Sequence, residues 1–276
     1  MASSRSQSAI VPGEWRRQDT WPPHDAKPSI FFLQPNHSLQ ESVSAKETHH
    51  LKYVPSVGVE AGFWWGELLS DPRPVDAFSL VYDSAPLQEE VAILGRPHAI
   101  LQASATAPLA DWFGRLSDVA PDGTVTQITG AGINGAQRDS ASEPQDLMPG
   151  TVYSLDIEMH LTSWVFPKGH RIRIAISNSL WPMVLPTPYS MTTSLELGGN
   201  SGSRVVLPVV PVHGDARLNF PRRSPPRSAP ISRTKVFPGP ANGPWNAMNS
   251  TRKQPCTGRV KTDTNIRGAR KTTMRT

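Results

Sequence analysis

Hydrophobic and polar residues alternate one by one over two stretches of this chain. In the first stretch, from residue 153 to 161, every second residue is apolar: Tyr153, Leu155, Ile157, Met159 and Leu161. In the second stretch, Ile172, Ile174 and Ile176 alternate with Arg171 and Arg173. A period of two places such side chains on one face of a β-strand, whereas helical spacing would scatter them. Both stretches are therefore predicted to be strands with one buried and one wet face.

Shorter apolar runs recur at the spacing typical of an all-β sandwich. They cover residues 29–33, 78–82, 91–94, 99–103, 111–119, 124–129, 194–197 and 204–209. Turn-forming strings such as Gly95-Arg96-Pro97 and Pro121-Asp122-Gly123 separate them. The chain also has 28 prolines and 20 glycines in 276 residues, which suits many short elements joined by turns. We predict an all-β sandwich over residues 28–215.

The two most regular strands, residues 153–161 and 171–176, are expected to pair with each other. Asp156 or Glu158 would then lie opposite Arg171 or Arg173. Such a cross-strand charge contact is worth about 0.2–1 kcal/mol.

The two ends of the chain lack this alternation. Residues 1–27 are polar, with Trp15 and Trp21 as their large apolar residues, and are predicted to form an extended lead-in. Residues 216–276 have too few apolar side chains to offset the entropy of ordering, which predicts a disordered basic tail. Between the strands, the irregular stretch 51–69 contains Phe63-Trp64-Trp65, which suits either a core or an exposed apolar patch.

The formal net charge of +5 conceals a split between body and tail. Residues 221–276 carry thirteen lysines and arginines against one acid, Asp263, whereas residues 1–220 carry fifteen basic and twenty-two acidic side chains. An acidic body repels phosphate, so no nucleic-acid partner is expected for it. The positively charged tail is interpreted as a solvated segment rather than as a binding site.

Targeting and cysteine signals are sparse. Cys256 is the single cysteine, so no intramolecular disulfide forms. No run of 18 apolar residues occurs, and no apolar segment follows the polar residues 1–8. We expect a cytoplasmic protein with no membrane partner.

The sequence contains no recognisable catalytic machinery. The α/β-hydrolase nucleophile elbow, Gly-x-Ser-x-Gly, is absent, and Ser201 in Gly198-Gly-Asn-Ser-Gly-Ser203 is interpreted as a turn residue. His49 and His50 would point to opposite faces of a strand, and His170 is expected to make a structural hydrogen bond. No metal-binding motif includes any of the histidines, which are His24, His37, His49, His50, His98, His160, His170 and His213. We predict no catalytic, cofactor-binding or metal-ligating residue.

Two further groups of residues suit a ligand but have a simpler interpretation. Asp111, Asp118 and Asp122 lack the alternation of a calcium loop and are expected at strand ends and turns. A set of tryptophans could line a sugar-binding face, although core and interface positions are more common for this residue in sandwiches. The set is Trp64, Trp65, Trp112, Trp164 and Trp181.

Several strings occur in a fixed order between Trp15 and Pro211. They are Phe78–Leu87, Val91–Pro97, Asp111–Gly123, Pro149-Gly150, Phe166–Ile174 and Ser177–Pro182. In this order they resemble the C-terminal domain of the X-Pro dipeptidyl-peptidase and cocaine-esterase-like (CocE/NonD) serine hydrolases. The most specific part is Gly169-His170-Arg171 with the following Trp181-Pro182.

The resemblance implies a jelly-roll sandwich, similar to galactose-binding domains, that packs against a preceding α/β-hydrolase domain. That domain holds the catalytic triad of the family, so no catalytic residue, His170 included, is carried over to this chain. After about Arg222 the sequence departs from the family, which has a further strand-forming segment around Gly243-Pro-Trp245. A truncated or mis-translated gene would account for both missing parts.

The first functional interpretation is a non-catalytic accessory domain of a serine hydrolase, inert alone. Its hydrolase-facing surface would be apolar and include Phe63, Trp64 and Trp65. Two alternatives remain open, a stand-alone carbohydrate-binding module and a minimal enzyme with an unfamiliar site. The sequence leaves the substrate and the oligomeric state undetermined.

Overall fold

The computed structural model describes residues 18–59 and 71–212, together with the backbone of 261–264 and 270–273. Between residues 18 and 212 the described elements are thirteen strands, one helix and one 3-10 turn. The strands are β1 Lys27–Leu33, β2 Ser38–Gln40, β3 Glu47–Lys52, β4 Leu80–Ser84, β5 Val91–Gly95, β6 His98–Ala105, β7 Asp111–Val119, β8 Val125–Asn134, β9 Tyr153–Glu158, β10 Thr162–Phe166, β11 Arg171–Ser177, β12 Thr192–Leu197 and β13 Arg204–Val210. The helix α1 is Arg73–Asp76, and the 3-10 turn is Gly135–Gln137. The predicted all-β class is confirmed, and each predicted strand overlaps an observed one.

A single hydrogen-bonded path connects the strands in the order β3-β12-β6-β13-β1-β2-β4-β11-β7-β8, with β5, β9 and β10 attached at the side. The pair β2–β4 is parallel, and the other pairs on this path are antiparallel. The path forms a β-sandwich with a continuous apolar core. The most deeply buried members come from many strands and include Leu33, Leu101, Leu116, Leu155, Ile174, Leu195 and Leu207. Burial of each such side chain contributes about 1.5–3 kcal/mol to folding.

The expected pairing between the two most regular strands is wrong. β9 pairs with β6, so Glu158 lies opposite His98, whereas β11 pairs with β4 and β7. Arg96 and His98 therefore take the place expected for Arg171 and Arg173. Arg96 binds Glu158 at 2.8 Å, and His98 Nδ1 lies 2.8 Å from a carboxylate oxygen of Asp156.

The alternation predicted through residue 161 also ends early. The chain breaks from the strand after Glu158, and β10 then pairs with β5. Met159 is buried as predicted, but Leu161 is exposed. The cause is the matching break at residues 96–97 between β5 and β6, which interrupts the ladder on the partner side.

β7 differs from an ordinary sandwich strand because all nine of its residues are buried. Trp112 and Leu116 belong to the core. Phe113 and Arg115 point to the opposite side, since side chains of a strand alternate between its faces. Three segments cover that side, and we call them the covering layer: residues 53–59, 72–79 and 178–190.

The chain divides into two units, Met1–Asn219, which contains the sandwich, and Phe220–Thr276. The described backbone of the second unit consists of β14 Lys261–Thr264 and β15 Arg270–Thr273, which pair antiparallel. The other residues of the predicted disordered tail, and residues 1–17 of the predicted lead-in, lie outside the described residues. Among the described residues, no helix is long and apolar enough to cross a membrane.

Candidate functional site on the outer face of the sheet

The outer face of β7 and β11 is polar and nevertheless buried. Arg115 and Ser117 of β7 and Ser177 of β11 each retain only about one hundredth of their accessible surface. Register places Arg173 opposite Ser117 and Ala175 opposite Arg115, so these side chains share one face. A polar sheet face is normally solvated, because burying such groups requires hydrogen-bond partners. One segment of the covering layer, residues 72–79, supplies some of these partners.

An ionic network ties the covering layer to this face. The Asp76 carboxylate, at the end of α1, accepts hydrogen bonds from Arg115 Nη2 at 2.9 Å and from Arg173 Nη1 at 3.2 Å. Arg173 also makes a bidentate pair with Asp83, with both distances 2.7 Å. Arg115 donates a further bond to Ser79 Oγ at 3.0 Å. Two positive and two negative charges thus balance beneath the covering layer.

This network is only partly satisfied. Burial raises the pKa of Asp76 and lowers that of Arg115, because both charged forms lose hydration. Arg115 Nε and Nη1 and the Ser177 hydroxyl are buried without a hydrogen-bond partner among the described residues. Unpaired buried polar atoms cost stability. The outer face is therefore built at an energetic cost that an apolar layer would avoid.

A small apolar cluster, separate from the main core, packs beside the network. It contains Val75 of α1, Phe113 of β7 and Leu180 of the covering layer, with partly buried Val57, Met183 and Val184 around them. Gly58 has φ of +134°, and a Cβ there would lie 2.5 Å from the Trp181 backbone nitrogen. The Trp181 N–H donates to the Val57 carbonyl at 2.8 Å. Close backbone contact thus joins two of the covering segments.

The solvent side of the covering layer carries large apolar side chains. Leu185 is 76% exposed and Phe78 is 51% exposed. Val59, Trp181 and Tyr189 in the same layer are also exposed. Single exposed apolar residues are normal, but several on three adjoining segments are typical of an interaction surface. The predicted apolar residues Phe63, Trp64 and Trp65 lie outside the described residues.

The structure places the aspartates of the rejected calcium loop at strand ends and in a turn. Asp111 begins β7, Asp118 is its penultimate residue, and Asp122 accepts the Thr124 N–H at 2.9 Å in the following turn. Within the described ranges, no cluster of three or more metal-ligating side chains occurs.

His170 makes the structural hydrogen bond expected of it. Its Nδ1 lies 2.8 Å from Asp118 Oδ1, and Asp118 Oδ2 accepts a bond from Trp164 Nε1 at 3.1 Å. Burial raises the pKa of Asp118, although the bonds from His170 and Trp164 oppose this shift. In the described part of the chain no serine is hydrogen-bonded to this pair, so the arrangement lacks a held nucleophile. Its role is structural, because these hydrogen bonds join β7, β10 and the residue before β11.

The adjacent histidines point to opposite faces of β3, as their spacing implies. His49 is buried and contacts the Tyr82 hydroxyl at 2.7 Å, whereas exposed His50 lies 2.8 Å from Ser194 Oγ. The His50–Ser194 contact is open to water and has no carboxylate bonded to it among the described residues. Ser201 is exposed in the turn before β13. The prediction that this chain has no catalytic residue stays a prediction.

Three of the tryptophans considered for sugar binding are described. Trp112 is in the core and Trp164 is partly buried against Asp118, so neither ring is a free platform for stacking. Trp181 is partly exposed on the covering layer.

Comparison with known proteins decides the family. Residues 2–207 match the family described as the X-Pro dipeptidyl-peptidase C-terminal non-catalytic domain. The chain belongs to this family. The resemblance seen in the sequence is thereby confirmed.

Relatives of this X-Pro dipeptidyl-peptidase C-terminal domain are much longer proteins. A cocaine esterase of Rhodococcus is 29% identical over 61% of this chain and 33% of its own length. A serine esterase of Mycobacterium bovis is 26% identical over 73% of this chain and 36% of its own length. The chain thus spans about a third of these curated relatives.

Solved structures share the fold. An aminopeptidase of a marine-sediment Thaumarchaeota archaeon superimposes with a TM-score of 0.62 and 20% identity, over 71% of this chain and 39% of that one. An α-amino acid ester hydrolase gives a TM-score of 0.58 and 23% identity, over 66% and 36% of the two chains.

Proposed function

We propose that this domain is the accessory sandwich of a serine hydrolase that cleaves esters or peptides, and that an α/β-hydrolase domain provides the catalytic triad. The family is described as non-catalytic, and the matched relatives carry about two thirds of their length outside the matched region. The names of those relatives, an esterase and a serine esterase, support the substrate class.

The covering layer is the proposed contact with the hydrolase domain. The observation that carries this assignment is the set of exposed apolar side chains, with Leu185 and Phe78 foremost. The segment of Phe78 is held by the ion pairs of Asp76, and the segment of Leu185 is held by the packing of Leu180. A surface held in place before association loses little conformational entropy on binding. The partly satisfied network is then the cost of a preformed docking surface.

The proposed role is mechanical. A rigid sandwich that binds the hydrolase domain through one face would hold that domain in a fixed orientation and form one wall of its active site. No group of this chain is assigned to bond making or breaking, and the chain alone is expected to be inert.

The absence of activity can be tested with the purified chain, a fluorophosphonate probe and p-nitrophenyl butyrate. We expect no labelled serine and no hydrolysis above the buffer rate. One serine labelled stoichiometrically would overturn the non-catalytic assignment, and Ser194→Ala would then test the His50–Ser194 pair.

The docking surface can be tested by isothermal titration calorimetry against the hydrolase portion of the Rhodococcus cocaine esterase. Leu185→Asp should weaken binding by at least about tenfold, because a charge replaces apolar contact area. Leu161→Asp is the matched control, since Leu161 is also exposed and apolar but lies outside the covering layer. Equal losses for both variants would contradict the assignment of this face.

A further inference from the structure

A shallow pocket in the covering layer, too narrow in the free domain to admit a water molecule, is lined in part by Asp111. The walls are largely apolar and include Phe113, Leu180 and Leu185, with Tyr53 also contributing. Asp111 retains only 9% of its accessible surface. A carboxylate in such surroundings loses most of its hydration, so it requires compensating donors.

These donors are not provided by the described residues. No hydrogen bond or ion pair from them reaches the Asp111 carboxylate. The Asn178 amide instead donates to a β3 carbonyl at 3.1 Å and to a β12 hydroxyl at 2.9 Å. The Ser179 hydroxyl donates to the Val57 carbonyl at 3.0 Å, and the Tyr53 hydroxyl accepts a backbone N–H at 2.9 Å. The polar groups lining the pocket are thus directed elsewhere.

The other buried aspartates show what is missing. Asp76 is bound by two guanidinium groups, and Asp118 is bound by His170 and Trp164. Asp111 resembles them in burial but has no partner of either kind among the described residues. A buried polar group without a partner requires an explanation in a native protein.

We propose that Asp111 binds the charged end of a lysine or arginine side chain that the α/β-hydrolase domain places over the mouth of this pocket when the covering layer docks. This inference rests on the proposed function. The exposed apolar rim of the pocket at Leu185 suits the alkyl stem of a long basic side chain, whose charged end would reach the edge of the carboxylate. A metal ion is a poorer occupant, because a single carboxylate offers too few oxygen ligands.

The titration of Asp111 supports the same occupant. Burial raises the pKa of this carboxyl to about 6, and a bound cation would lower it. Docking would then become tighter as pH rises from about 5.5 to 7.5, because the free domain loses its Asp111 proton over this range. Tyr53 is the other titratable group lining the pocket, and burial raises its pKa, so it stays neutral throughout.

Calorimetry with the hydrolase portion of the cocaine esterase tests this contact. The full chain, Asp111→Asn and the control Asp122→Asn, an exposed turn residue, are each titrated at pH 5.5 and 7.5. Asp111→Asn should weaken binding at pH 7.5 by at least about tenfold and remove the pH dependence, whereas Asp122→Asn should change neither. Unchanged affinity and pH profile for Asp111→Asn would overturn the inference and leave the proposed function standing. Failure of the unaltered chain to bind would overturn both.

Thermal unfolding of the free chain separates a docking role from a structural one. An unpartnered carboxylate destabilises the free domain, so Asp111→Asn should raise the unfolding midpoint at pH 7.5. A lowered midpoint would show that Asp111 has a structural partner and would overturn the inference. Butylguanidinium tests the alternative that a small free cation binds Asp111. If this compound raises the unfolding midpoint and Asp111→Asn docks as well as the unaltered chain, the inference is also overturned.

Discussion

The two faces of the sheet that contains β4, β11 and β7 are both buried, but by different interactions. The inner face carries Leu116 and Ile174 and packs into a continuous apolar core. The outer face carries Arg115 and Arg173, which bind two aspartates with defined geometry. Apolar packing is non-directional, whereas charged hydrogen bonds fix position and angle. The inner face therefore stabilises the sandwich, and the outer face positions the covering layer.

The largest expected effect comes from breaking the ionic network at its centre. Asp76→Ala leaves the buried Arg115 guanidinium without its carboxylate and removes one of the two carboxylates bound by Arg173, which should lower the free energy of unfolding by about 3–5 kcal/mol. Urea denaturation followed by tryptophan fluorescence measures this change. Asp139→Ala is the control, because the Asp139 side chain is 76% exposed in its pair with Arg138. A loss below about 1 kcal/mol for Asp76→Ala would show that the outer face is not held by these charges.

On the inner face, Leu116→Ala should lower the free energy of unfolding by about 2–5 kcal/mol, because it leaves a cavity in the core. Docking to a hydrolase portion should be unchanged at temperatures where the variant is folded. Asp76→Ala, by contrast, should weaken docking as well, since it releases α1. Equal effects of both variants on docking affinity would erase the distinction between the two faces.

Asp111→Asn, unlike the two variants above, should raise the free energy of unfolding of the free domain at neutral pH. The folded-state pKa of Asp111 is raised from 3.8 to about 6, so the folded state binds more protons than the unfolded state between these values. Stability of the unaltered chain therefore falls as pH rises from about 4 to 6 and stays low above that range. Asparagine removes this fall, so the variant should gain up to about 3 kcal/mol at pH 7.5 and little at pH 4. Urea midpoints across this pH range measure the difference.

The smallest effect is expected at the exposed charges between β6 and β9. Asp156→Asn removes the contact with His98, but both side chains are substantially exposed. Such pairs contribute about 0–1 kcal/mol, so the unfolding midpoint should barely move. A loss of more than about 2 kcal/mol in the free energy of unfolding would mean that the exposed charges between β6 and β9 contribute stability that we assign to the two buried faces.

The strands were predictable from the sequence, but their partners were not. The alternation around Leu155 and Ile174 specifies a period and a buried face, and any strand with that pattern can pair with any other. Turn chemistry added partner information only where two strands are joined by a tight turn, as at Pro121-Asp122-Gly123 between β7 and β8. The missed pairing of β9 with β6 joins residues that are 50 to 60 positions apart.

The candidate site was less predictable than the fold. Arg115 and Arg173 occupy alternate positions of their strands, which by pattern alone indicates a solvated face. The segment that contacts them, residues 72–79, contains only a four-residue helix. The rest of the covering layer, residues 53–59 and 178–190, is irregular and has no period to detect. The contact between His170 and Asp118 spans 52 positions and depends on the pairing of β11 with β7. Only the resemblance to a family pointed toward a docking role.

The pairing of β1 with β13 places the first and last strands of the sandwich side by side, with Lys27 opposite Val209. Entry and exit of the polypeptide therefore lie at neighbouring points. A module of this kind can be grafted into a surface loop of a host protein or circularly permuted without stretching its backbone. Exchange of such sandwiches between enzymes would thus disturb the recipient at a single location.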